Sequence, residues 1–295
     1  MYLSCLMIDL GNNPDRPRPG RLWLKNRYHV HQRLCMAFPS DPRKKRDPEF
    51  LAPYKPSDFS EQRELADCEI DKVGQSALRQ VHSPRNDEAG FLFRIDPLSN
   101  GRVMILVQSA LQPDWDYAFH NAKFLLAAPP MIKPFEPHFS KDQRLRFRLV
   151  TNPTVKIMTW PRKLWEGLSP EQKEKEKTRH GKRVPVPTEK LFAWLEGKAD
   201  VAGFRIQEDQ TTVQPGYIYF KKDPPSTEET KGTNNKRRTC EWKRLRSVLF
   251  EGLLTVSVPD AFQEALLCGI GSGKTFGFGL LSVSSISTLG SEETT

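Results

Sequence analysis

The sequence predicts an α+β protein made of two tandem ferredoxin-like (RRM-like) domains with antiparallel sheets. Three observations carry that expectation. Short apolar runs and helical runs follow one another in the order β-α-β-β-α-β. The second half of the chain repeats this order loosely. The length of 295 residues fits two such units once two polar stretches, 41–88 and 224–243, are set aside. The expected domains are therefore 1–139, with 41–88 as an insertion, and 140–295.

Residues 2–9 form a strand-like apolar run, and 12–20 a turn region rich in Pro, Gly and Arg. Across 26–38, Val30, Leu34 and Phe38 recur at helical spacing with Cys35 and Ala37, until Pro39 stops the run. The stretch 41–88 is charged and proline-punctuated, with one short helix expected at 60–65. Residues 90–96 and 102–108 read as strands joined by a Pro-Leu-Ser-Asn-Gly hairpin turn. Residues 113–127 read as a helix and 131–139 as a proline-marked edge strand. In the second half, 145–150 is a strand and 187–198 an amphipathic helix. Residues 204–207 and 217–220 belong to one edge, and 247–258 is a long strand. A helix opens at Pro259, where proline suits the first helical position, and a strand follows over 276–286.

A formal net charge of +9 and a pI near 9.3 favour a polyanionic partner. The five cysteines, Cys5, Cys35, Cys68, Cys240 and Cys268, are widely spaced and contain no Cys-x-x-Cys pair. They argue against a disulfide framework and a zinc site, and for a reducing compartment. The apolar N-terminal run is too short for a signal peptide, and no window approaches a membrane span. A soluble cytoplasmic protein, without a membrane or cofactor, is expected.

Three segments are candidates for chemistry. Tyr28 and His31 lie three apart and share a helix face, whereas His29 points about 200° away from His31. A histidine titrating near neutrality can move a proton that a tyrosine positions or donates, although such a pair also occurs in purely structural helices. Asp67, Glu69 and Asp71 alternate but lack the glycine of a calcium loop and read as a solvated segment. In 173–184 the glutamates interleaved with Lys173, Lys175 and Lys177 suggest a solvated helix end. Arg179, Lys182 and Arg183 form an acid-free cluster around Gly181, where a loop tip would bend, and suit phosphate contacts. The third segment runs from Gly269 to Gly279. Its Gly273-Lys274-Thr275 resembles the end of a phosphate-binding P-loop, but Cys268 stands where that motif needs glycine. The order is also reversed, since a P-loop leads from strand to helix. A glycine-rich turn from helix to strand still leaves backbone N–H groups and Lys274 available to a phosphate chain. Helix capping and a bulge would use the same glycines.

Read together, these segments resemble a known family. The resemblance rests on the opening Met1-Tyr-Leu-Ser4, Tyr28-x-x-His31-Gln-x-Leu34, Phe91-Leu-Phe-Arg94 and Val107-Gln-Ser-Ala110. It continues through Phe147-Arg-Leu-x-x-Asn-Pro153, Gly181-Lys-Arg-Val-Pro185 and Phe250-Glu-Gly-Leu-Leu-Thr255. It closes on Gly269-Ile-Gly-x-x-Lys274-x-x-Gly277-x-Gly279-Leu-Leu281. These are similar to the CasE endoribonucleases of the type I-E CRISPR Cascade complex, in the repeat-associated RNA-binding superfamily. The match covers nearly the whole chain, with departures at 10–25, 41–88 and 224–243. The resemblance implies metal-independent cleavage of precursor CRISPR RNA at the 3′ base of each repeat hairpin. It implies products with a 2′,3′-cyclic phosphate and a 5′-hydroxyl, and an enzyme that stays on the crRNA hairpin. As partners it implies the repeat hairpin, in pre-crRNA and mature crRNA, and other Cascade subunits, with the backbone subunit nearest the crRNA 3′ end as neighbour. It assigns His31 and Tyr28 to catalysis, with the division of acid and base roles left open. It assigns Arg27, Arg179, Lys182, Arg183, Gly271, Ser272, Lys274, Gly277 and Gly279 to RNA binding. A non-catalytic RNA-binding subunit of the same assembly is the competing reading.

Overall fold

The computed structural model describes residues 1–12, 18–41, 85–98, 101–158, 166–173, 181–221 and 242–286. The helix expected at 60–65, the acidic residues Asp67, Glu69 and Asp71, and Arg179 lie outside these residues.

The first half runs β1 (Tyr2–Ile8), α1 (Pro19–Lys25), α2 (Arg27–Cys35), β2 (Phe91–Pro97), β3 (Val103–Ser109), α3 (Trp115–Ala118) and β4 (Met131–Pro134). Its sheet has the order β2-β3-β1-β4, with antiparallel pairing throughout. On β1, alternate residues Ser4, Leu6 and Ile8 are buried, the period-two signature of a strand with one face on a core. That core takes Phe93, Ile105 and Val107 from the neighbouring strands and Trp23, Val30 and Leu34 from α1 and α2.

Two elements differ from expectation. An unexpected helix, α1, starts at the end of the 12–20 turn region and runs on to Lys25, with Pro19 in its first turn and Trp23 in the core. The helix expected over 113–127 breaks after α3 and resumes only as a 3-10 turn, Lys123–Leu125. Trp115 and Tyr117 are buried within α3, and Phe119 and Leu125 are buried beyond its end.

The second half runs β5 (Arg144–Thr151), β6 (Thr154–Met158), β7 (Gly181–Pro185), α4 (Leu191–Val201), β8 (Phe204–Phe220), β9 (Lys243–Val256), α5 (Pro259–Cys268) and β10 (Leu281–Ser285). The main sheet has the order β10-β5-β9-β8, while β6 and β7 pair alone as an antiparallel ribbon. Numbered within its own half, each main sheet places its fourth strand beside the first, then the third and the second. This shared order makes both halves ferredoxin-like. The second core joins Leu145, Phe147 and Leu149 of β5 to Leu191 and Leu195 of α4, Phe250 of β9 and Phe262 of α5.

The expected edge segments at 204–207 and 217–220 are one continuous strand, β8. The last strand starts at Leu281 rather than Phe276, because Lys274–Phe276 is a 3-10 turn and Gly277 and Gly279 hold φ of 83° and 90°. Gly181 opens a strand opposite Met158 instead of forming a loop tip. The residues group into two compact units that interleave in sequence. One comprises Met1–His138, Tyr217–Leu245 and Gly273–Leu280; the other comprises Phe139–Gly216, Arg246–Ser272 and Leu281–Thr295. Among the described residues, no helix is long and apolar enough to cross a membrane.

Candidate functional site

The helix α2 is fixed at both ends by polar contacts. At its start, the Asn26 side-chain oxygen accepts the Tyr28 N–H at 3.2 Å, an N-cap worth about 1 kcal/mol. The same buried amide accepts the Lys221 N–H at 3.2 Å and donates to the Lys221 carbonyl at 2.9 Å. Further along, the buried Arg33 donates to the Ala118 carbonyl at 3.0 Å and to Asn121 Oδ1 at 2.9 Å. With Val30 and Leu34 in the core, the remaining face carries Tyr28, His31 and Cys35 at spacings of three and four.

His31 sits against aromatic rings from the edge strand β2. Its ring centroid lies 5.5 Å from Phe91 and 6.3 Å from Phe93, with interplanar angles of 29° and 16°. The Cys35 sulfur approaches Nε2 at 3.5 Å. Burial, reinforced by the positive charge of Arg85, holds the His31 imidazole down at about 4, so it is neutral at physiological pH. Burial pushes the Cys35 thiol up to about 11, against the opposing pull of Arg85. Arg85 is exposed, with its guanidinium carbon 5.6 Å from the Phe91 ring centroid.

Arg27 has a different setting. Its side chain keeps some exposure, yet burial of the guanidinium lowers its pKa to about 10, with Asp96 as the opposing charge. Asp96 also receives both short contacts, 2.9 Å each, from Arg94 Nε in a buried ion pair. This ionic setting links Arg27 to the β2 pair.

The glycine-rich segment divides between the units at Ser272–Gly273. In the first unit Lys274 is exposed, while Gly277 and Gly279 are buried. A Cβ on Gly277 would stand 2.9 Å from Phe93 Cε2, on a backbone at φ +83°. Gly277 is therefore required by packing against the ring that flanks His31. The nearby Phe276 ring lies 4.4 Å from Phe220. In the second unit, a Cβ on Gly271 would stand 2.5 Å from Thr151 Oγ1, also at positive φ. Ser272 pairs with Asn152 in a β-bridge, and its hydroxyl lies 3.3 Å from Thr154 Oγ1. Arg183 donates to the same Thr154 oxygen at 3.4 Å, so Ser272 and Arg183 meet through Thr154. Lys182 and Arg183 are exposed on β7, facing Ile157 and Lys156 of β6.

The structure thus gathers Tyr28, His31, Lys274 and Gly277 in one unit, and Lys182, Arg183, Gly271 and Ser272 in the other. Sequence reasoning passed over Arg85, Phe91 and Phe93 as parts of the His31 site. The rings were visible only as strand residues, and Arg85 closes a long polar stretch without a motif. Among the described residues, no three His, Cys, Asp or Glu side chains converge as metal ligands.

A family model described as CRISPR associated protein matches residues 73–285. The CRISPR-associated endoribonuclease Cse3 of Thermus thermophilus is 31% identical over 195 residues, covering 65% of this chain and 78% of that protein. A solved structure of the CRISPR endoribonuclease Cse3 bound to a 19-nucleotide RNA superposes with a TM-score of 0.58 at 25% identity. It spans 96% of this chain and 100% of its own. The CRISPR-associated protein Cas6e of Escherichia coli shares the fold with a TM-score of 0.50 at 21% identity, over 97% of this chain and 100% of its own. With most of its length matched by the family model and a curated relative above 30% identity, the chain belongs to the CRISPR-associated Cse3/Cas6e endoribonuclease family.

Proposed function

We propose that this protein cleaves precursor CRISPR RNA at the 3′ base of the repeat hairpin by internal attack of a ribose 2′-hydroxyl. The products carry a 2′,3′-cyclic phosphate and a 5′-hydroxyl, and the enzyme remains on the crRNA hairpin as a cytoplasmic Cascade subunit. The backbone subunit nearest the crRNA 3′ end is its expected neighbour. The observation that carries the reading is the neutral, ring-packed imidazole of His31 on a helix fixed at both ends. Only the neutral form can accept a proton. In this scheme His31 takes the 2′-OH proton as the oxygen bonds to phosphorus. The bond to the 5′-oxygen breaks, and that oxygen takes a proton from Tyr28. RNA phosphates brought beside His31 offset the Arg85 charge and raise the imidazole towards the range where transfer is efficient.

Lys274, Gly271 and Ser272 are proposed to contact RNA phosphates, as are Arg179, Lys182 and Arg183. Gly277 and Gly279 act by allowing the fold beneath them, and Arg27 by its charge beside Asp96. The deciding experiment incubates a repeat hairpin with the protein in EDTA, beside a substrate with a single 2′-deoxyribose before the scissile phosphate. Cleavage of the first and not of the second is expected. Cutting of the deoxy substrate would exclude internal attack. A hairpin bound but left whole would make the chain a non-catalytic RNA-binding subunit.

A further inference from the structure

We propose that Arg85 is a further catalytic residue, the cation that binds the scissile phosphate beside His31; this rests on the cleavage reading above. The cations of this unit near α2 have distinct settings. Arg33 is buried and donates to Ala118 and Asn121. Arg27 is largely withdrawn from water with Asp96 as its counter-charge. Arg85 is exposed, and its guanidinium overhangs the Phe91 ring at 5.6 Å while that ring stacks on His31 at 5.5 Å. One aromatic ring therefore carries the proton-transfer group and a guanidinium together. The charge of Arg85 is also felt at both His31 and Cys35.

The backbone beneath Arg85 is anchored to the end of the His31 helix segment. Arg85 bridges Pro39, and the Asn86 N–H donates to the Phe38 carbonyl at 2.8 Å. Asn86 then closes its own turn, accepting the Glu88 N–H on its side chain at 2.9 Å and the Ala89 N–H on its carbonyl at 3.0 Å. Phe38 stacks on Phe91 at 5.3 Å, so the anchor and the ring are one packed assembly. A cation held this way is set in place before the reaction. Attack by the 2′-oxygen builds negative charge on the non-bridging phosphate oxygens, and a planar guanidinium can donate two N–H groups to them.

The test compares wild type, Arg85→Ala, Arg85→Lys and His31→Ala. Single-turnover cleavage of a repeat hairpin is read beside affinity for the 2′-deoxy hairpin and melting temperature. Arg85→Ala is expected to cleave ~10²-fold more slowly, the scale of losing one preorganised donor. Affinity should stay within a few-fold and Tm should be unchanged, since the side chain is exposed. Arg85→Lys should fall between, and free guanidinium ion should restore part of the Arg85→Ala rate. Arg85→Ala cleaving within two-fold of wild type, or losing affinity in proportion to rate, would overturn the assignment. If wild type and His31→Ala are equally inert on a hairpin that both bind, the cleavage reading itself fails, and Arg85 with it.

Discussion

The two halves share a strand order and differ in what they do with the first main helix. In both, one helix face enters the core, through Val30 and Leu34 on α2 and through Leu191, Leu195 and Ala199 on α4. On α4, Trp194 stacks against Phe250 at 6.4 Å, and Glu196 and Lys198 face water. On α2, the corresponding free face carries Tyr28, His31 and Cys35, with His31 stacked on Phe91 and Phe93, Cys35 against its Nε2, and Arg85 over the Phe91 ring. The fold supplies a core-packed helix twice, and only α2 presents an imidazole against aromatic rings beside a guanidinium; the cleavage proposal places the chemistry there.

Exchanging what the two helices carry at their free faces gives the largest expected effect. His31→Ala should slow hairpin cleavage by ~10²-fold or more while affinity stays within a few-fold. Glu196→Ala, on the exposed face of α4, should leave both unchanged. Near-normal single-turnover cleavage by His31→Ala would remove the contrast between the helices.

A pH experiment sharpens the same point. The folded His31 titrates at about 4, below the 6.5 of a free histidine. Between those values the unfolded chain binds the extra proton, so stability rises with pH there. The contribution is complete above about pH 6.5 and is lost as pH falls towards 4. Wild-type Tm should therefore drop more steeply than that of His31→Ala on acidification from pH 7 to 4.5, with carboxylate effects common to both. Parallel curves would mean that His31 is not held neutral by burial.

How far the sequence could foresee this divides along local and tertiary lines. The helix of His31 was legible from Val30 and Leu34 on one face, although the expected run to Phe38 overshot its end at Cys35. The strands around Phe93 and Phe147 were legible from their apolar runs and intervening turn. The helix α1 was hidden by Pro19 and Gly20, which read as a turn until Trp23 finds a core. The ribbon strand β6 was hidden because exposed Val155 and Ile157 alternate with polar neighbours without an apolar core to declare them. Arg85 lies more than fifty residues from His31 in the chain, and its place over Phe91 depends on the bridge to Pro39. Such a pairing is tertiary and has no local pattern.

The glycines offer a smaller test within the first unit. Gly101 and Gly277 both have positive φ, but a Cβ on Gly101 meets nothing within 4 Å, whereas one on Gly277 meets Phe93 at 2.9 Å. Gly101→Ala should cost about 1 kcal/mol through backbone strain alone, and Gly277→Ala roughly 1–3 kcal/mol more through Phe93. Displacing Phe93 should also slow cleavage, because that ring flanks His31. Equal losses of stability in the two variants would show that Phe93 yields freely.

The second unit is probed through charge. Replacing Lys182 and Arg183 of β7 by alanine should weaken hairpin binding and flatten log K against log salt by roughly 0.7–0.9 per lost phosphate contact. Cleavage of bound hairpin should persist at its normal rate. An unchanged slope would return the ribbon to ordinary solvated surface.

The smallest effect belongs to an ion pair of that same unit. Arg205 reaches Asp142 at 3.3 Å with the two side chains 65% and 63% exposed, whereas Arg94 and Asp96 of the first unit are each 5% exposed at 2.9 Å. Water screens the first pair, and holding two long side chains together costs rotamer entropy, so little attraction is left. Removing a partner from the buried pair would strand a charge in a poor solvent; removing one from the exposed pair strands nothing. Arg205→Ala should therefore shift stability by no more than about 0.5 kcal/mol, measured by urea denaturation, and should leave cleavage and salt slope alone. A larger loss would mean that Asp142, held at φ 61° in the turn before β5, depends on the arginine for its backbone conformation. Asp142→Gly, which relieves that backbone, would then recover stability in the Arg205→Ala background, and a failure to recover would locate the cost in the ion pair itself.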